Sequence, residues 1–127
     1  MIDHIGLAVS DLERSRTFYA AALKPLGYAL IGEPFENETG GRVVMFGVGG
    51  QPDFVIADGE RPGEGNHVAF GVATRPEVDA FHAAALQAGG RDNGGPGLRP
   101  RYGANYYAAF VLDPDGFNIE AVCHAAE

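Results

Sequence analysis

Asn66-His67-Val68-Ala69-Phe70-Gly71-Val72 restates, 63 residues later, the stretch His4-Ile5-Gly6-Leu7-Ala8-Val9. The same ungapped shift lays Phe18 on Phe81, Gly27 on Gly90, Phe54 on Phe117 and Ile56 on Ile119. It also lays Ala20-Ala21-Ala22-Leu23 on Ala83-Ala84-Ala85-Leu86. A fixed-period repeat of this length decides the architecture before any local reading does. The chain is two copies of one unit of about 60 residues, each opening on a strand that carries a histidine.

Outward from those strands, both copies follow one plan. Ser10 with Glu13, or Asp11 alone, caps a helix whose stripe is Leu12, Tyr19, Ala22, Leu23 and Leu26, closed by Pro25 and Gly27. Tyr28–Ile31, Arg42–Val48 and Asp53–Ala57 read as strands, the last two joined through Gly49-Gly50-Gln51-Pro52. In the second copy Thr74 and Glu77 have capping-box spacing, Pro76 fits the first turn, and Gly89-Gly90 ends the helix. Residues 91–101, with three glycines and two prolines, read as a long loop. Tyr106–Leu112 and Phe117–His124 are strands about the turn Asp113-Pro114-Asp115-Gly116. Each unit is therefore βαβββ, and two units make an α+β fold with helices on one face of the sheets. Residues 1–58 and 66–127 are the modules of a single domain, joined by a Gly/Pro-rich linker at 59–65.

Composition narrows the function. With 127 residues the chain is long enough for a core. No apolar run reaches the roughly 18 residues of a membrane span, and no secretion signal precedes the first strand. One cysteine, Cys123, forms no internal disulfide and suits a reducing cytoplasm; as a small hydrophobe near a strand end it carries no thiol chemistry. A net charge of −8 argues against nucleic acid. The expected partner is a small molecule.

Strand parity locates the chemistry. If the helices cover Ile5, Leu7 and Val9, then His4, Gly6 and Ala8 face away, as do His67, Ala69 and Gly71. Small neighbours leave each histidine room. Glu120 stands in the otherwise apolar Asn118-Ile119-Glu120-Ala121-Val122, where an ionised carboxylate is costly unless paired or metal-bound. Pairing Asp113 with Gly116 sets Glu120 opposite Ala109, which places Tyr107 on the face of Glu120 and Tyr106 and Phe110 on the other. Two histidines and a carboxylate on facing strands, His4, His67 and Glu120, read as the ligands of a facial triad with open positions; taken singly, each histidine reads as a strand-start residue bonded to nearby backbone.

The opening Ile2-Asp3-His4-Ile5-Gly6-Leu7-Ala8-Val9-Ser10-Asp11-Leu12 through Phe18-Tyr19, and the close Asp113-Pro114-Asp115-Gly116-Phe117-Asn118-Ile119-Glu120, resemble the vicinal oxygen chelate superfamily. Glyoxalase I, bleomycin and fosfomycin resistance proteins, extradiol dioxygenases and methylmalonyl-CoA epimerase belong to it. The resemblance spans the whole chain. It implies paired βαβββ modules curling into a cup around a divalent metal (Fe, Mn, Ni or Zn), with His4, His67 and Glu120 at the ligand positions. It also implies a homodimer, in which the cup is built within one chain or across two. One departure matters: the first-module position equivalent to Glu120 is Ala57, which cannot bind a metal, so three ligands remain where glyoxalase I has four. The extradiol enzymes add a second-shell histidine, and here the other histidines are His82, on a helix, and His124, at the chain's end.

Arg99-Pro100-Arg101-Tyr102 ahead of Asn105-Tyr106-Tyr107 reads either as a lid whose arginines meet an anionic substrate or as a solvated loop. Tyr107 is the expected proton carrier beside Glu120, Asn118 and Tyr102 are expected to touch substrate, and Val44, Phe46, Val48 and Val55 are expected to line the cup. The expected function is a cytoplasmic metalloenzyme, lyase/isomerase or dioxygenase, acting on a small oxygen-rich substrate. The alternative is a metal-free binding protein of the bleomycin-resistance type.

Overall fold

The computed structural model describes residues 3–37, 40–62, 66–100 and 102–127. In the first module β1 (Ile5–Ala8) leads into α1 (Leu12–Ala22), a 3₁₀ turn (Lys24–Leu26), β2 (Ala29–Glu36), β3 (Arg42–Val48) and β4 (Gln51–Ala57). The second has β5 (His67–Val72), α2 (Arg75–Gln87), β6 (Arg91–Leu98), β7 (Tyr107–Leu112) and β8 (Asn118–Cys123). The repeat survives in the topology. The sheets have orders β1-β4-β3-β2 and β5-β8-β7-β6, and in each the opening strand lies parallel to the last.

The helix starts follow their local chemistry. Asp11 is the N-cap of α1, its carboxylate accepting from the Arg14 amide at 3.0 Å; Ser10 Oγ instead accepts from the Arg14 guanidinium. At α2 the Glu77 carboxylate accepts from the Thr74 amide at 3.0 Å, the back-bond of a capping box. Gly49 and Gly50, at φ 62° and 78°, form a two-residue turn that pairs Val48 with Gln51, the positive-φ geometry that a tight hairpin favours. The strand thus begins at Gln51, two residues before Asp53.

Residues 91–98, expected as loop, are an edge strand. Their ladder with β7 shifts register twice, between Asp92 and Gly94 and between Gly94 and Gly97. An edge position tolerates Pro96, and glycine bulges absorb the shifts. β2 also outruns its expected end at Ile31, reaching Glu36 across a register shift.

One core serves both modules. Leu7, Val9, Phe46, Phe54 and Ile56 from the first and Phe70, Val78, Phe81, Val111 and Ile119 from the second are buried together under the helices. Phe54 meets Phe70 edge to face at 5.3 Å, as does Tyr28 at 5.2 Å. Tyr19, wholly buried, donates its hydroxyl to Asp113 Oδ2 at 2.6 Å, which ties α1 to the β7–β8 turn. Cys123 is buried, with its thiol on the Ala73 carbonyl. No described helix is long and apolar enough to cross a membrane.

Phe46 does not line the cup. It pairs with Phe54 and is buried against Tyr19, its ring 6.2 Å away, with Val44 on the same side. The reason is register: Met45, not Phe46, lies opposite Val55, so Val55 shares the helix-free face with Gly6 and Met45. Residues from Val44 and from Val55 cannot share that face.

Candidate active site

The β7–β8 turn sets the site. Asp113 and Phe117 close it through the Asp113 amide on the Phe117 carbonyl at 2.9 Å, with Gly116 at φ 88°. That is a type I turn followed by a left-handed residue, one residue longer than a two-residue hairpin. The extra residue slides the register by one, so Phe110, not Ala109, stands opposite Glu120, and Tyr107 stands opposite Cys123. This corrects the expected roles of two tyrosines. Tyr107 lies on the helix side, donating to Asp79 at 2.6 Å beneath the Arg75 guanidinium; it does not reach Glu120. Tyr106, expected on the opposite face, takes the place expected of Tyr107, its hydroxyl donating to Glu120 Oε1 at 2.5 Å.

His67 reaches the other carboxylate oxygen. β5 and β8 run in parallel with His67 beside Asn118 and Ala69 beside Glu120. The ring Nδ1 lies 2.9 Å from the Asn118 carbonyl, and Nε2 lies 3.1 Å from Glu120 Oε2. A carbonyl oxygen can only accept, so Nδ1 carries the hydrogen. The Nε2 lone pair then faces an oxygen that also accepts, and a cation, either a proton or a metal ion, must lie between the two. The backbone anchor on Nδ1 is the support a metal-ligating histidine uses. Cis ligands on a divalent metal with bonds of about 2.1 Å sit about 3 Å apart. His67 and Glu120 fit a metal.

His4 is not brought to them. Its ring is exposed and its Nδ1 meets Asp3 Oδ1 at 2.8 Å, on the helix-free side of the first sheet. Among the described residues no three His, Cys, Asp or Glu side chains converge as a metal-holding group. Of the three expected ligands, one chain thus brings together His67 and Glu120.

Around His67 and Glu120 runs a cleft across the helix-free face of the second sheet. A cavity of about 330 Å³ lined by His67, Tyr102, Tyr106, Phe110, Asn118 and Glu120 adjoins one of about 510 Å³ lined by Asn93, Gly94, Arg99, Pro100, Tyr102, Phe110 and Asn118. Of the residues expected to touch substrate, Arg99, Tyr102 and Asn118 line it, while Val55 lines a separate hollow on the first sheet with Gly6, Ala8 and Ala57. Arg101 lies outside the described residues. Phe110 and Asn93 were not foreseen: Phe110 was hidden by the one-residue slip, and Asn93, which donates to Asn118 at 3.1 Å, by the reading of 91–101 as loop. Of the remaining histidines, His82 pairs with Asp92 at 3.0 Å away from the cleft, and His124 packs edge-on against Tyr106 at 5.2 Å.

Burial, followed by the hydrogen bond to Glu120 and its charge, pushes the Tyr106 hydroxyl up to about 12. It is therefore a proton donor, not a base, throughout the neutral range. A raised folded-state value gives stability that is complete below the ordinary tyrosine value near 10 and is lost as pH rises through about 12. Tyr106→Phe should thus remove one late-titrating phenol at 295 nm and flatten the fall in stability over that alkaline window. An unchanged titration curve would remove Tyr106 from this role.

Comparison with known proteins agrees with the geometry. Residues 1–121 match the model of the glyoxalase/bleomycin resistance protein/dioxygenase superfamily. The uncharacterized protein YqjT of Bacillus subtilis is 32% identical over 130 residues, covering 94% of this chain and 95% of its own. A probable lactoylglutathione lyase of Vibrio cholerae is 29% identical, covering 94% and 87%. Among solved structures, a glyoxalase/bleomycin resistance protein from Albidiferax ferrireducens superposes with a TM-score of 0.75 at 30% identity, covering 97% of this chain and 98% of that one. A glyoxalase I mutant from Zea mays superposes with a TM-score of 0.73 at 26% identity, this chain spanning 46% of that one. The paired βαβββ sheets, the repeat and these matches together make this chain a member of the glyoxalase/bleomycin resistance protein/dioxygenase superfamily.

Proposed function

We propose that the protein is a metal-dependent enzyme of the lyase/isomerase type, acting on a small organic substrate with neighbouring oxygens. His67 and Glu120 would hold a divalent cation, and His4 of a second copy would complete the set. The observation that supports this is the pair of acceptor atoms, His67 Nε2 and Glu120 Oε2, facing each other across 3.1 Å. Similarity to a protein named as a probable lactoylglutathione lyase favours lyase over ring cleavage, as does the lack of a further histidine among the residues lining the cleft. A metal bound there supplies Lewis-acid polarisation of the substrate's oxygens. The chain's own residues do the rest. Glu120, whose Oε1 accepts from the Tyr106 hydroxyl, would take the proton lost by the substrate and return it to the neighbouring carbon, Tyr106 holds that carboxylate in place, Asn118 orients the ligand, and Phe110 with Tyr102 excludes water.

A second reading takes the same contact another way. With a proton between His67 and Glu120 the same contact is an imidazolium–carboxylate pair, and the cup becomes a metal-free binding site. Elemental analysis of purified protein separates the two: about one equivalent of Fe, Mn, Ni or Zn per chain supports the enzyme. No metal after anaerobic reconstitution supports the binding protein.

Assembly across two copies has a separate test. His4→Ala and His67→Ala chains should each bind no metal, yet after unfolding and refolding together recover about a quarter of the wild-type content. Half the dimers are then mixed, and each mixed dimer has one intact site. A site within one chain would recover none.

A further inference from the structure

We infer that the cleft selects a substrate carrying one carboxylate at the end remote from Glu120, and that Arg99, seated in a cradle of glycine carbonyls, is the selecting residue; only the position of the substrate's reacting end rests on the proposed function. The cradle comes from the two register shifts of β6. Arg99 Nη2 donates to the Gly95 carbonyl at 2.8 Å and Nη1 to the Gly97 carbonyl at 2.9 Å. Space is kept for it by absent side chains. A Cβ at Gly94 would lie 3.1 Å from Arg99 Nη2 and 3.1 Å from Phe110 Cδ1, and one at Gly97 would lie 3.3 Å from Nη1. The glycines of this edge strand let the guanidinium approach the backbone closely.

The guanidinium lies over the Phe110 ring, its carbon 5.4 Å from the centroid. On the same ring the His67 imidazole stacks at 6.3 Å and 25°. Arg99 and His67 thus flank one aromatic side chain, and a ligand lying across Phe110 reaches both. Two of the five guanidinium donors are used by the cradle, which leaves three for a ligand. Among the described residues no carboxylate pairs with Arg99, although the chain holds 17 acidic residues against nine basic ones. The cation is therefore fixed, half-buried and unneutralised. It loses little side-chain freedom on binding, the property that turns a charge into affinity. Among the described residues lining the cleft Arg99 is the one arginine or lysine, which matches a single negative charge such as a carboxylate, and Glu120 repels that group from the opposite end.

The test is calorimetric titration of zinc-loaded and metal-free protein with 3,4-dihydroxybenzoate and with 3,4-dihydroxybenzamide. The two probes share vicinal oxygens and ring shape and differ in charge at the far end. The acid should bind at least about tenfold more tightly than the amide. Arg99→Gln should bring the two within about twofold while leaving zinc per chain unchanged, and Gly97→Val should reduce the preference with Arg99 still present. Loss of zinc binding with the preference intact in metal-free protein would defeat the proposed function and leave this inference standing. Equal affinity in wild type, no binding of either probe at millimolar concentration, or a preference that persists in Arg99→Gln would overturn it.

Discussion

Glu120→Gln should abolish metal binding without harming the fold. The carboxylate is 2% exposed, held by the Tyr106 hydroxyl and faced by His67 Nε2. An amide of the same shape keeps the first contact through its oxygen and satisfies the second by donating its N–H to the imidazole. A buried ionised group is thereby exchanged for a neutral, fully bonded one, so the thermal midpoint should hold or rise. Metal affinity should fall by more than about a hundredfold, since removing even an outer-shell partner of a ligand costs 10- to 100-fold. Turnover should fall with it. Metal content by elemental analysis and the midpoint by circular dichroism check both halves. Retained metal would exclude Glu120 as a ligand, and a collapsed fold would make its role structural.

Asp113→Ala should give the largest loss of stability, about 3–4 kcal/mol. The carboxylate is 1% exposed and accepts three hydrogen bonds, from Tyr19 at 2.6 Å and from the amides of Asp115 and Phe117 at 2.9 and 2.8 Å. Truncation strands the buried Tyr19 hydroxyl and the Phe117 amide, each worth about 1–3 kcal/mol when left unpaired. It also cuts the polar tie between α1 and the turn that sets the register of Glu120. Burial pushes the Asp113 carboxyl above its usual value, against the pull of Tyr19 and the two amides. A raised folded-state value adds stability as pH falls, so the penalty should grow, not shrink, on going from neutral pH into the range where an ordinary carboxylate titrates. Urea unfolding at the two pH values measures it. A loss below about 1 kcal/mol would show that the modules are joined by their apolar core alone.

The two predictions probe opposite ends of what was legible. The repeat, the helix caps and the face alternation around His67 are local and periodic. Reading them needs only the 3.6- and two-residue periods, and both helices and the strands other than β2 and β6 appear where those periods put them. Glu120 was legible for a related reason, as a carboxylate in an apolar strand. Asn118 was legible as the same-face neighbour of Glu120 on that strand, and Arg99 and Tyr102 because they precede that strand's partner.

Most of the differences are matters of register. Tyr107 was placed beside Glu120, and Tyr106 and Phe110 away from it, on a two-residue reading of Asp113–Gly116; the left-handed Gly116 adds one residue, and one residue flips every side chain of β7 to the other face. Phe46 was placed in the cup because the register between β3 and β4 cannot be read from either strand alone. Residues 91–98 were read as loop because edge strands tolerate the glycine and proline that interior strands exclude.

Sequence alone determined the two repeated units, the face that carries the histidines and the carboxylate buried among apolar neighbours, since each follows from the repeat, from periodicity or from transfer cost. Tertiary structure decided which tyrosine meets Glu120, that Arg99 rests on glycine carbonyls over Phe110, and that His4 stands apart from His67 and Glu120. These depend on register and on the placing of one sheet against another, and a single bulge changes them without changing any local pattern.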